Sequence, residues 1–374
     1  MRVLHVTQPT DGGVGWYVAA AAGHQAARGW PVAVACPDGG PLPSELSRRG
    51  VRRLRWSATR PPGPATISEV VRLRRLVAAA DPDVVHLHAS KAGLAGRLAL
   101  QGRRPTMFQP HGWSWLALEG RRAEAAAQWE RAAARWTRVL VCNGPAEAEQ
   151  GTARGVHCRY ASVRYGVDLA RFVPADDSAR AAARVRLGLD PDVPVAVCVG
   201  RVTWHNGQDL LLAAWESVTS RHPAAQLHLV GGGNLLPLLR RQALPTVHFV
   251  GAVDDVRPWY AAADVVVLPA RWEGPSLAVL EAMASGRSVV ATAVPALAEI
   301  VPGGAGALVA PESPAFLARA LGNRLGTPDL AGAEGSVAAR HATRFDLVTA
   351  LARLDAVTRY AAGVPAAPVA AERG

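Results

Sequence analysis

Lysine is nearly missing from this chain of 374 residues: Lys91 is the only one, and the rest of its 41 basic residues are arginines. Those arginines are scattered among alanines and leucines and form no basic block. The net charge of +11 therefore carries no nucleic-acid-binding signature, although a positive face still favours anionic partners or a membrane surface. Cysteine is scarce as well. Cys36, Cys142, Cys158 and Cys198 form no CxxC pair, and Cys36, Cys142 and Cys198 sit in or at the ends of apolar runs, so they read as small buried residues in a reducing compartment. No apolar run is long enough to span a bilayer, and no signal peptide precedes the segment from Arg2 to Thr7, which already reads as a strand. The expected location is cytoplasmic, with peripheral membrane contact left open by the charge.

What the chain has in abundance is alternation. Its length exceeds the size at which one core keeps growing, so two domains are expected. Short apolar runs at Val3–Thr7, Val32–Cys36, Val51–Trp56, Val84–His88, Thr106–Pro110 and Val139–Cys142 read as strands. Helical patterns lie between them at Gly15–Arg28, Ile67–Ala80, Leu94–Gln101 and Arg121–Trp136. Between Gly166 and Pro194 the pattern breaks at Asp168, Pro174, Asp176, Asp177, Asp190 and Pro191. It then restarts with Val195–Val199, Leu227–Val230, Val247–Val250, Val265–Pro269, Val289–Thr292 and Ala307–Val309.

Strand followed by helix, repeated, is the signature of a parallel sheet covered on both faces. The expected fold is α/β, with two Rossmann-like doubly wound domains facing each other across a cleft. Residues 1–165 form the first, 166–194 a linker, 195–344 the second, 345–362 a final amphipathic helix and 363–374 a disordered tail. Ligands of such sheets bind beyond the C-terminal strand ends.

The stretch from Arg271 to Gly286, RWEGPSLAVLEAMASG, carries the most chemistry. It follows the apolar run Asp264–Ala270 and holds Glu273 in a loop and Glu281 on a helix. Gly274, Pro275 and Ser276 supply a turn, a fixed φ and an N-cap candidate, so Leu277 opens a helix at a strand end. Free N–H groups there attract phosphate, and ionised carboxylates accept bonds from hydroxyls. A ligand with phosphates and several hydroxyls fits both features, as a nucleotide sugar does. Two glutamates eight residues apart also arise often by chance, so the rest of the chain has to decide.

Arg201 follows the strand ending at Val199, where a guanidinium can hold phosphate oxygens; alone, such an arginine is more often a surface residue. Asp11-Gly12-Gly13-Val14-Gly15 joins the first strand to the first helix and lets a ligand approach the backbone, but it does not fit GxGxxG. His86 and His88 alternate with apolar residues, so at least one is expected to face the core, and zinc is a poor reading without third and fourth ligands at recognisable spacing. His111 lies at a strand exit beside Trp113 and Trp115, which can stack on a sugar face or pack a core. The pairs Asp81-Pro82-Asp83 and Asp190-Pro191-Asp192 look like metal-binding DxD but precede strands, and read as turn chemistry.

These motifs, in this order, resemble the retaining glycosyltransferases of family four, and the resemblance runs to about Ala362. It rests on Glu273-x7-Glu281 with GPSLAVLEAMASG, on GRVTWHNGQDLLL after a strand, on YGVDLARF at the linker, and on HGWSW and HASKAGLAGR in the first half. It implies the GT-B fold and a nucleoside-diphosphate sugar donor, with UDP or TDP favoured over GDP. The implied acceptor is a hydroxyl on a natural product, a lipid-linked sugar or a glycan. No metal or other cofactor is implied.

By position, Glu281 would hold ribose hydroxyls and Glu273 the donor sugar, while the backbone of Gly274, Pro275, Ser276 and Leu277 would meet phosphate and sugar. Arg201 would hold the diphosphate as charge develops on the leaving group. Gly251 and Val253 would flank the base, His111 would approach the donor sugar, and Gly12 and Gly13 would line the phosphate and acceptor side. Similar enzymes carry lysine where this chain has Asn206. Either His205 or Lys91 supplies the missing cation, or the protein is an impaired GT-B binding or scaffold protein. A GT-B nucleotide-sugar epimerase is a third reading, which needs donor alone. Tyr165 and the stretch AVPALAE before Ile300 also depart from the family pattern.

Overall fold

The computed structural model describes residues 1–274 and 276–365. The chain divides into two compact units, one formed by Met1–Arg164 with the segment from Thr349 onward, the other by Tyr165–Val348. Each is built on one all-parallel sheet.

In the first unit the strands are β1 (Val3–Thr7), β2 (Val32–Cys36), β3 (Arg52–Arg55), β4 (Val84–His88), β5 (Thr106–Gln109), β6 (Val139–Cys142) and β7 (Tyr160–Ser162), ordered β3-β2-β1-β4-β5-β6-β7. In the second they are β8 (Val195–Val199), β9 (Gln226–Val230), β10 (Val247–Gly251), β11 (Val265–Leu268), β12 (Ser288–Thr292) and β13 (Gly306–Val309), ordered β10-β9-β8-β11-β12-β13. Both orders reverse beside the first strand of the unit, which is the doubly wound pattern. The interior strands β1, β4, β8, β11 and β12 are buried along their whole length. They read as continuous Val/Ala/Leu runs because helices cover both faces.

The edges behave differently. β3 is arginine-rich and half exposed, as suits a strand paired on one side. β7 pairs only with β6, through Leu140 and Tyr160 and the two residues after each; it has three residues and no apolar run, and the sequence reading passes over it. The final helix runs Leu347–Ala362 and is anchored within the first unit, where Asp355 meets His24 at 3.2 Å and Arg28 at 3.0 Å. No helix among the described residues is long and apolar enough to cross a membrane.

Two expectations change here. Trp113 and Trp115 are only 1% and 5% exposed, and they stack on each other at 4.4 Å, with the Trp113 indole N–H donating to the Glu147 carbonyl at 2.7 Å. They are core of the first unit and not a sugar-stacking surface. Lys91 is also buried, its ammonium 2.6 Å from the Glu69 carboxylate and 2.9 Å from the Thr66 hydroxyl. A buried ammonium needs that pairing, so Lys91 serves the interior of the first unit and is not a spare cation for a ligand. The expected disorder of 363–374 falls mostly on 366–374, which lie outside the described residues. The two Asp-Pro-Asp segments are turns, as expected: Asp81 binds Arg104, Asp83 accepts the Arg2 backbone N–H, and Asp190 accepts the Asp192 N–H.

Candidate active site

In the second unit the strand order turns between β8 and β11, so the loops leaving those two strands flank a crevice at one sheet edge. The loop after β8 carries Arg201, and the loop after β11 carries Glu273. Their mutual seating depends on Gly207, which has φ +70°; a Cβ there would lie 2.0 Å from the Pro269 carbonyl oxygen. Gly231, after β9, is equally constrained, since a Cβ would meet the Gly200 oxygen at 1.9 Å.

Arg271 ties the two loops together. Its guanidinium binds both carboxylate oxygens of Asp209 at 2.7 Å and Glu312 at 2.6 Å, and it lies 4.7 Å over the Trp204 ring. Its backbone N–H donates to the His205 carbonyl at 2.8 Å, and the next residue, Trp272, stacks on the His205 ring at 4.6 Å. His205 further contacts the Thr203 hydroxyl at 3.0 Å.

Against this scaffold Arg201 stands out. Among the described residues its guanidinium has no hydrogen-bond or ion-pair partner, and the charge it acts on is Glu273. The carbonyl of Arg201 is instead heavily used, accepting from the Asn206 amide at 2.6 Å and the Gln208 amide at 2.9 Å. Asn206 is therefore a buried strut that fixes the Arg201 backbone, and its Oδ1 has no hydrogen-bond partner among the described residues.

Among the described residues Glu273 accepts only the Gly274 N–H, at 3.2 Å. Burial pushes its carboxyl up to about 7, opposed by that N–H and by Arg201. Glu281 is also pushed up to about 7 by burial, opposed by the Tyr260 hydroxyl, which donates to it at 2.9 Å, and by Arg171. Two carboxylates held in a poorly solvated place with few donors are poised to accept hydroxyls. Between them the helix Leu277–Ala284 begins. Ser276 occupies its N-cap position with extended backbone, but its hydroxyl makes no cap bond, contrary to the expected capping role. The first-turn N–H groups thus keep their anion-binding capacity. Pro275 lies outside the described residues. Gly251 ends β10 with φ +86° and Val253 is exposed just beyond it.

The remaining predicted residues belong to the first unit. Gly12 and Gly13 open the helix Gly12–Ala27 beyond β1, and Gly12 has φ +61°. His111, partly exposed, follows β5 with left-handed backbone at φ +55°. The structure adds companions that sequence spacing did not bring together. His5, His86 and His88 are fully buried with ring nitrogens all within 4.8 Å of one another, a grouping able to hold a metal ion. The third histidine, absent from the sequence argument, is His5, one strand over from β4. The signal was visible only as a histidine within an apolar strand. Arg271, Asp209 and Tyr260 were missed likewise, because their pairing is between distant segments.

Two doubly wound units, the second presenting an arginine, two half-buried glutamates and a helix start at its switch point, define a GT-B protein. The chain belongs to the group 1 glycosyl transferases: residues 12–166 match the glycosyl transferase 4-like domain and residues 193–326 the glycosyl transferases group 1 domain. It is 37% identical over 219 residues to D-inositol 3-phosphate glycosyltransferase 2 of Catenulispora acidiphila, covering 54% of this chain and 51% of that protein. It is 37% identical over 152 residues to the GDP-mannose-dependent monoacylated alpha-(1-6)-phosphatidylinositol monomannoside mannosyltransferase of Corynebacterium glutamicum, covering 37% and 40%. The matched part thus spans about half the length of such relatives or less. In fold it is similar to Anabaena HepE, solved with UDP and glucose, at TM-score 0.83 and 20% identity over 95% of this chain and 98% of that one. Sucrose-phosphate synthase of Thermosynechococcus elongatus is similar at TM-score 0.81 and 22% identity, over 96% and 98%.

Proposed function

We propose that this protein is a retaining glycosyltransferase that moves a sugar from a nucleoside-diphosphate sugar to an acceptor hydroxyl. The observation that carries this reading is Arg201, whose guanidinium has no hydrogen-bond or ion-pair partner among the described residues, at the switch point beside Glu273. In the proposed roles, Arg201 and the start of the Leu277–Ala284 helix hold the diphosphate and stabilise the charge that develops as it leaves. They supply the positive field that a divalent ion supplies elsewhere, so transfer is proposed to need no metal. Glu281 accepts from the ribose hydroxyls, Glu273 from the sugar hydroxyls, and His111 contacts the sugar. Gly251 and Val253 border the base, and Gly12 and Gly13 the phosphate and acceptor side. The leaving phosphate takes the acceptor proton on the face it departs from, which retains configuration.

The acceptor is proposed to be a small natural product, a lipid-linked sugar or a glycan, and the protein to work in the cytoplasm. The expectation of a uridine or thymidine nucleotide stands against the GDP-mannose dependence of the corynebacterial relative. Thermal shifts with UDP, TDP, GDP and ADP and their sugars, in EDTA, decide it. A nucleotide at a hundred times its Kd stabilises by ~2.7 kcal/mol. No response to any of them would overturn the proposal.

One observation favours a second reading, a binding protein without transfer: the position of Asn206 brings a strut and no charge. Transfer gained on Asn206→Lys supports that reading.

A further inference from the structure

Three imidazoles stand side by side on one face of the first sheet. His5 on β1 is directly opposite His86 on β4 in the strand register, and His88 follows two residues on, which returns its side chain to the same face. The ring centroids of His86 and His88 lie 3.9 Å apart, those of His5 and His88 5.2 Å, and those of His5 and His86 5.4 Å. All three rings are fully buried, in strands whose other positions are mostly valine and leucine. Where a core needs volume alone, those apolar residues fill it at less cost, because every buried imidazole nitrogen has to be matched.

Hydrogen bonding matches two of the rings and leaves the third. His5 Nδ1 faces His88 Nε2 at 2.9 Å. On the outer side of the trio, His5 Nε2 meets the Gln25 oxygen at 2.9 Å, and His88 Nδ1 meets His111 Nε2 at 3.0 Å. Neither nitrogen of His86 makes a hydrogen bond of normal geometry among the described residues, although the Gln109 side chain is close enough to act on it. Gln109 is itself fully buried, and its amide nitrogen is committed to Asn143 at 2.7 Å, which leaves its oxygen for the trio.

We propose that His5 Nδ1, His86 and His88 Nε2 bind a divalent transition-metal ion of the zinc class, with the Gln109 oxygen facing the fourth position. Imidazole nitrogens are the ligands such ions favour. Bonds of about 2.0–2.1 Å to nitrogen set tetrahedral ligands about 3.3 Å apart, and the ring nitrogens of the trio already lie within 4.8 Å of one another. The outer nitrogens are supported as ligating histidines require, by Gln25 behind His5 and by His111 behind His88. Gln25 is in turn 3.5 Å from the Thr358 hydroxyl of the last helix. The ion clamps β1 to β4, so its role is structural. None of its ligands is proposed to hold the diphosphate, and metal-free transfer stands or falls separately.

Because the rings are sealed, the ion is taken up as the chain folds, and the test follows uptake on the full, untagged chain. Elemental analysis after growth with added zinc is expected to find one zinc ion per chain, and none in His86→Leu, where leucine fills the core but cannot ligate. The parent unfolded with chelator and refolded with Co²⁺ alone is expected to show the intense visible absorption of a four-coordinate site, and His86→Leu to stay colourless. With free Zn²⁺ at a hundred times its Kd, the unfolding equilibrium constant of the parent should fall about a hundredfold, and that of His86→Leu should not change. A parent that holds no zinc, stays colourless with Co²⁺ and refolds equally well without metal overturns the proposal, leaving a hydrogen-bonded packing cluster. Metal retained by His86→Leu overturns it too, since the ion then sits elsewhere. If His86→Leu does not fold, the cobalt spectrum of the parent decides alone: the four-coordinate bands support the site and their absence overturns it.

Discussion

Glu281→Gln separates the cost of building the site from its use. In the folded chain this carboxyl titrates at about 7 instead of 4.5, chiefly because it is buried. The folded state therefore keeps a proton that the unfolded chain has already lost, and stability falls as pH rises from 4.5 to about 7, then levels off. A displacement of that size corresponds to ~3 kcal/mol, and the partial exposure of the side chain reduces it to ~2 kcal/mol. Glutamine has nothing to ionise and still accepts from Tyr260. At pH 8 the variant is expected to melt about 4–8 °C higher than the parent, using the scaling for a unit of this size; at pH 4.5 the two should melt together. Nucleotide should then reverse the order at pH 8, because the parent alone offers an ionised carboxylate to the ribose. Differential scanning calorimetry across this range, with and without nucleotide, measures all three arms. A stability difference that does not change with pH, or a variant less stable at pH 8, would refute the assignment of a strained buried carboxylate at this position.

Other outcomes follow from the same geometry. Arg201→Ala should abolish transfer while leaving the melting temperature within about 1 °C, since the guanidinium has no hydrogen-bond or ion-pair partner to lose among the described residues; steady-state kinetics and calorimetry check both halves. Asn206→Lys should lower both stability and turnover, by ~1–3 kcal/mol for a long cation placed in a buried strut position, and higher turnover would instead support the non-catalytic reading. Arg271→Ala should cost ~2 kcal/mol through its lost charged hydrogen bonds and weaken nucleotide binding by loosening the loops after β8 and β11, as read by titration calorimetry. Lys91→Met should destabilise the first unit by ~3–5 kcal/mol by stranding Glu69 with nucleotide affinity unchanged. Adding Glu69→Leu should recover most of the loss.

Much of the fold was legible because buried parallel strands are local objects. Val3–Thr7, Val84–His88 and Val195–Val199 are buried over their whole length and mostly apolar, and the observed strands have those bounds. What escaped was set by pairing. β7 exists because β6 offers it an edge, and the helices Leu42–Arg48 and Pro145–Ala153 are short enough that their apolar periodicity never accumulates. The same holds for tryptophan. Trp113 beside His111 reads equally well as a sugar platform or as core, and only the contact with Glu147 and the stacking on Trp115 decide for core.

Charge is where sequence spacing misled most, and the reason is physical. A lone lysine in an arginine-rich chain invites a functional reading, yet an ammonium is cheap to bury when a carboxylate meets it at 2.6 Å, and Glu69 lies 22 positions away on a different helix. Arg271, read at first only as the start of a motif, carries the architecture by holding Asp209 and Glu312. Arg201, in the loop after β8, is left without a hydrogen-bond or ion-pair partner among the described residues. Two arginines with the same local signature, each just beyond a strand, thus have opposite fates. The difference is whether a carboxylate from elsewhere in the unit reaches them. A guanidinium left unpaired beside a neutral-leaning carboxyl is unstable company in a folded protein unless something else completes it, and a diphosphate is the group of matching charge and geometry.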